Sequence, residues 1–160
     1  MNQVMDYIEI KVPAKPDYVG VIRLTLSGIC SRMGYTYEEI EDMKIAVSEA
    51  CTNAVQHAYG MDEGGEVTVG FGLYPDKLEI MVADSGKSFN FLETRNELGP
   101  YTETSTVEQL TEGGLGLFLI ETLMDEVRVL NTSGVTVFMM KQLSGERENH
   151  DETSSSQETF

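Results

Sequence analysis

The stretch after Gly65 carries the pattern that most limits how this chain can fold. Val67, Val69, Phe71 and Leu73 alternate with small or polar residues, Pro75-Asp76 interrupts them, and Leu78, Ile80 and Val82 resume the alternation. Period-two alternation puts the apolar side chains of a strand on one face, and a short Pro-Asp turn folds the second strand back on the first. Such a hairpin is marginal alone, so its apolar face must be covered by other elements.

The covers are legible on both sides. Upstream, Val19, Ile22, Leu26, Ile29 and Met33 recur at helical spacing, with Pro16 fitted to a first turn and Gly34 to a stop. Thr36 with Glu39 forms a capping box that opens a second long helix, expected to run to about Tyr59. Downstream, residues 114–124 read as a helix carrying Leu115, Phe118, Ile120 and Leu123. Three more strands are expected, at Tyr7–Val12, Val127–Leu130 and Val135–Met140. Strands in hairpins with helices between them predict an α+β two-layer sandwich, a mixed but mainly antiparallel sheet with helices on one face.

This organisation suits one domain over residues 1–143 of the 160, followed by an acidic tail. That tail, 144–160, holds five acids, one Arg and three consecutive serines without apolar periodicity, and is expected to be disordered. The 28 residues from Ser85 to Glu112 show little pattern beyond a short helix near Phe91–Leu98, and read as a lid. Eleven Lys and Arg against 27 Asp and Glu leave a net charge of −16. That charge argues against nucleic acid and anionic membranes as partners, since both are bound through displaced counterions and basic side chains. Small molecules and proteins remain. Cys30 and Cys51 sit among apolar residues and read as core hydrophobes; with neither a signal peptide nor a long apolar run, the expected compartment is the cytoplasm.

Three elements could carry chemistry. On the second helix, Ile40, Met43, Val47, Cys51, Ala54 and Ala58 form the stripe expected to pack on the sheet. Opposite run Asp42, Ala46, Glu49, Asn53 and Gln56. Glu49 and Asn53 stand one turn apart, pairing a proton acceptor with a hard oxygen ligand suited to Mg²⁺ and an activated hydroxyl. At the end of a strand, Asp84-Ser85-Gly86 offers a carboxylate for an exocyclic amine and a glycine that lets backbone approach a planar ring. In Glu112-Gly-Gly-Leu-Gly-Leu117 a glycine-rich turn opens a helix whose free amides can bind phosphate oxygens. It is neither a Walker A loop nor a strand-then-GxGxxG dinucleotide turn.

In this order, Glu-x-x-x-Asn on a helix, Asp-x-Gly ending a strand, a long lid and Gly-Gly-x-Gly opening a helix resemble the GHKL superfamily of gyrase, histidine kinases and MutL. The resemblance spans Tyr7 to Leu143 and implies the ATP-binding α/β sandwich of that superfamily, the Bergerat fold. Within it, the chain is similar to the small anti-sigma-factor serine kinases of Gram-positive bacteria that hold the general-stress factor sigma-B. Ala46-Val-Ser-Glu-Ala-Cys-Thr-Asn-Ala-Val-Gln-His57 and Met124-Asp-Glu-Val127 carry this likeness, with Tyr18-Val-Gly-Val-Ile-Arg23 and Leu98-Gly-Pro-Tyr-Thr102.

The resemblance implies residue roles. Glu49 is the expected general base for a serine hydroxyl, and Asn53 the expected ligand of the Mg²⁺ that bridges the ATP phosphates. Asp84 receives the adenine amine with Gly86 beneath the ring, while Gly114, Leu115, Gly116 and Leu117 line the phosphates. Thr136 is expected to reach adenine through water, Arg23 to face a protein partner, and His57 to be structural. Family members that neutralise the γ-phosphate with a basic lid residue are not matched beside the glycine turn, where Thr111 and Glu112 stand; the lid cations are Lys87 and Arg95. The implied activity is MgATP-dependent phosphorylation of an anti-anti-sigma antagonist on serine, together with sequestration of sigma-B by a homodimer. A nucleotide-switched binding module without turnover is the alternative, and retention of Glu49 argues against it. A sensor histidine kinase is set aside because no dimerisation segment bearing a phosphoacceptor His is present, and gyrase- or MutL-type ATPases because length and charge suit neither a transducer domain nor DNA.

Overall fold

The computed structural model describes residues 6–61, 65–84, 114–131 and 134–144. The lid, with its expected short helix, Gly86, Lys87, Arg95, Thr111 and Glu112, and the tail beyond Ser144 lie outside the described residues. Strand β1 (Asp6–Pro13) leads through a single 3-10 turn (Pro16–Tyr18) into helix α1 (Val19–Met33), and α2 (Tyr37–Met61) follows. The hairpin is β2 (Glu66–Leu73) with β3 (Lys77–Ala83); helix α3 (Gly114–Leu123) precedes a second hairpin of β4 (Glu126–Asn131) and β5 (Val135–Gln142).

Local chemistry sets the helix boundaries. Pro16 occupies the first turn, where its missing N–H is no loss. Gly34, at φ 101°, closes α1 in the left-handed region and returns its N–H to the carbonyls of Cys30 and Ser31 at 3.1 and 3.3 Å. At the start of α2, Glu39 N–H donates to Thr36 Oγ1 at 3.1 Å and Thr36 N–H to Glu39 Oε1 at 2.9 Å, so the capping box is complete. Removing such a cap costs about 1 kcal/mol.

The strand order is β1-β2-β3-β5-β4, and every pairing is antiparallel. The expected mixed sheet is therefore wholly antiparallel among the described strands. β3 and β4 run the same way, as a helical crossover requires, but β5 lies between them and pairs with both. Val67, Val69, Phe71, Leu78, Ile80, Val82, Val127, Val137 and Met139 turn to the helices and form the main core with Ile22, Leu26, Met43, Val47, Cys51 and Ile120. Fully burying each large side chain of this kind contributes about 1.5–3 kcal/mol.

The outer sheet face has its own smaller cluster of Tyr74, Met81, Phe138 and Met140. Long polar side chains lie over it: the Arg128 guanidinium sits 5.1 Å from the Phe138 ring centre and Lys77 Nζ 4.8 Å from that of Tyr74. Buried Glu79 is satisfied there by the Tyr74 hydroxyl at 2.9 Å and by Lys77 at 3.3 Å.

Two helical positions depart from expectation. Ala46, placed by periodicity on the outer stripe of α2, is fully buried, because α2 is flanked by α1 and α3 as well as the sheet. Phe118 is 63% exposed; the core side of α3 is instead Leu117 and Ile120, with Leu123 packed against it and Met124 buried just past the helix end.

Both cysteines are buried and unpaired, as their apolar settings suggested. Burial is the first cause that pushes each thiol up to about 12, with the Glu39 charge adding at Cys30 and Arg23 opposing at Cys51. Native protein at pH 8 is therefore expected to resist iodoacetamide at both positions and to take up two labels once unfolded, read by intact mass. Rapid native labelling would contradict the buried placement. The unfolded thiols release protons near 9.0, before the folded ones near 12, so stability falls as pH rises through that window.

Candidate functional site

Helix α2 brings Glu49 and Asn53 one turn apart, both half-buried, at the side against which α3 packs. The contact is made by Gly116. A Cβ added there would lie 2.6 Å from Glu49 Oε2, 3.1 Å from its Cγ and 3.2 Å from Asn53 Nδ2. Gly116 thus does more than free an amide: its missing side chain lets the glycine turn close directly onto the carboxylate and amide of α2. The backbone of Gly114 opens α3, followed by Leu115, so the free N–H groups of that helix start lie within a turn of the same contact. Leu117 sends its side chain into the core, which leaves only its backbone for a ligand.

Asp84 continues β3 past Ala83, on the inner side by the same alternation that turns Ile80 and Val82 to the core. Its side chain is only 3% exposed. Val135 N–H is shared between the two carboxylate oxygens at 3.2 and 3.3 Å, and His57 Nδ1 pairs with Oδ2. Gly134, at φ 105°, fits beneath; a Cβ there would be 2.7 Å from Asp84 Oδ1. Sequence reasoning expected His57 to be structural without placing it against Asp84, and did not assign Gly134 or Val135 to the site. The Ser-Gly turn before β5 was the available signal, but nothing in the sequence places that turn against Asp84.

Thr136 is a correction. It pairs with Ala83 in the register, and alternation places it on the outer face with Phe138 and Met140, while Val135 takes the inner position next to Asp84. Strand parity thus turns the Thr136 side chain to the face opposite Asp84. Gly86 lies outside the described residues.

Arg23 is half-buried on α1 and bridges to α2, Nη1 donating to Ser48 Oγ at 3.3 Å. Arg32 adds a second cation in the last turn of the same helix. Around the bridge the two helices leave large apolar side chains in solvent: Leu24 is 75% exposed, with Val21 and Ile45 also exposed.

Asn53 offers one neutral oxygen and Glu49 a carboxylate, a donor set that fits Mg²⁺ carried in by phosphates, since this ion commonly takes one or two protein ligands. Among the described residues no group of three His, Cys, Asp or Glu forms a protein-only metal site. Nor, among them, is any helix long and apolar enough to cross a membrane.

Residues 12–141 match the family described as histidine kinase-like ATPase domain. The serine-protein kinase RsbW of Bacillus subtilis is 66% identical over 159 residues, covering 99% of both chains. RsbW of Bacillus pumilus is 65% identical with the same coverage, and that of Oceanobacillus iheyensis 57% identical over 92% of this chain and 93% of its own. The crystal structure of the RsbU and RsbW domains of Rv1364c from Mycobacterium tuberculosis superposes with a TM-score of 0.61 at 22% identity, over 87% of this chain and 32% of that one, a likeness of fold. With a family match over residues 12–141 and relatives of this identity over nearly their whole length, the chain belongs to the histidine kinase-like ATPase family, among its RsbW serine-protein kinases.

Proposed function

We propose that the site transfers the γ-phosphoryl group of MgATP to a serine of an anti-anti-sigma antagonist, and that the same protein, as a homodimer in the cytoplasm, sequesters sigma-B. The observation that carries the catalytic half is the closure of Gly116 onto Glu49 and Asn53, which gathers base, metal ligand and phosphate-binding turn at one place. Phosphoryl transfer requires alignment and charge neutralisation more than covalent chemistry, and these groups supply both. In this reading Glu49 accepts the proton of the serine hydroxyl as the serine oxygen attacks the γ-phosphorus, the γ-phosphorus–oxygen bond to the β-phosphate breaks, and ADP leaves. Asn53 would hold the magnesium, which would supply charge to offset the phosphates, and the amides from Gly114 to Leu117 would bind phosphate oxygens. Asp84 receives the adenine amine from within the sheet end.

Support for the protein-binding half lies on α1 and α2, where Arg23 is held by Ser48, the residue before Glu49, among exposed Val21, Leu24 and Ile45. A cation set among exposed apolar side chains, next to the phosphoryl-transfer residues, suits an acidic protein surface that presents a serine.

Incubation with MgATP and the purified antagonist is expected to yield phosphoserine on the antagonist. Nucleotide binding without phosphoserine would sink the kinase reading and leave the switched binding module. In the same preparation Arg23→Ala is expected to weaken capture of both protein partners while MgADP binding persists; undiminished capture would remove Arg23 from the interface.

A further inference from the structure

His57 lies one turn beyond Asn53 on α2 and touches the far side of the candidate site, 27 positions before Asp84 in the chain. We propose that His57 is a positioning residue for base recognition: its Nδ1–H holds the Asp84 carboxylate so that the exocyclic amine of an adenine nucleotide is received in one orientation. The proposal rests on the reading of Asp84 as the adenine receptor and gives that receptor a device that fixes it.

Three elements converge on the carboxylate. Val135 N–H from β5 is shared between both oxygens, Gly134 allows backbone to approach Oδ1, and His57 from α2 takes Oδ2. A contact with backbone alone, shared nearly evenly at 3.2 and 3.3 Å, leaves the carboxyl plane loosely determined. The His57 bond distinguishes one oxygen from the other. An ionised carboxylate has about four lone-pair sites, so two donors leave room for a third from the ligand. The pair is unlike an ordinary surface ion pair, because Asp84 is 3% exposed while His57 is 45% exposed. Its loss would leave a buried acceptor with one fewer partner and freedom to turn.

The test compares MgADP with the diphosphate of purine riboside, which carries hydrogen in place of the 6-amine, by calorimetric titration of the full chain. The native protein is expected to prefer ADP by about 10–100-fold, the range of a hydrogen bond to a charged group. His57→Ala is expected to lower that preference about tenfold through weaker ADP binding, with the amine-free ligand bound as before. His57→Asn, whose amide N–H can donate from nearly the Nδ1 position, is expected to restore it. Equal weakening of both ligands, or an unchanged preference, would overturn the role of His57. Asp84→Ala separates the two claims. If it abolishes the preference and His57→Ala does not, only the positioning role falls; if the preference survives in Asp84→Ala, the adenine-receptor reading falls and takes the proposal with it.

Discussion

Glu49→Gln is expected to slow serine phosphotransfer by about 10²–10⁴-fold, the contribution of a positioned general base. The substitution keeps shape and hydrogen-bonding capacity but removes the group that can accept the serine proton. Glu49 is half-buried, one turn from Asn53 and in contact with the start of α3, so an isosteric amide has a place to stand without disturbing α2. MgADP affinity and thermal unfolding should therefore persist, and quantifying phosphoserine under single-turnover conditions isolates the chemical step. Parallel loss of nucleotide affinity and transfer would assign Glu49 a structural role instead.

Gly116→Ala is the second large effect, with an expected loss of about 10²-fold, the scale of an ångström's misplacement of reacting groups. The new methyl would stand 2.6 Å from Glu49 Oε2, closer than unbonded atoms tolerate, with Asn53 Nδ2 at 3.2 Å. The carboxylate is the mobile end of a long side chain, so it turns away and the helices stay packed. Helix propensity works in the opposite direction, since alanine is favoured over glycine by about 0.8–1.0 kcal/mol in a helix interior. A protein that melts normally and fails to transfer phosphate is the expected outcome. Gly28→Ala on α1, where nothing lies within 4 Å of the added carbon, serves as the control that shows the propensity gain alone. Full transfer by Gly116→Ala would show that the Glu49–Gly116 contact does not set the base.

The architecture was legible because period-two and helical spacing survive in one dimension. Val67 to Val82 announced the central hairpin, and Thr36 with Glu39 announced the start of α2. Features that depend on how one element meets another were not legible. Ala46 reads as solvent-facing on a helical wheel until a third helix is laid beside it, and Phe118 reads as core until α3 is rotated by its contact with α2. Thr136 was placed near adenine by likeness, yet a step of one residue along a strand reverses the side chain, and Val135 holds the inner position. Gly116 and His57 show the same limit in the site. Both were visible in sequence, but their partners, Glu49 and Asp84, sit on other elements.

Strand β5 has a consequence for how the protein comes to be made. It is the last strand among the described residues, yet it lies inside the sheet, and its first residue Val135, just after Gly134, supplies the backbone that seats Asp84. A nascent chain that has emerged only as far as β4 has two sheet edges awaiting the same missing strand, and its Asp84 lacks that seat. The seat of Asp84 is therefore completed only once β5 has emerged, and a ribosome-bound intermediate carries Glu49 and Asn53 well before Asp84 is fixed in place.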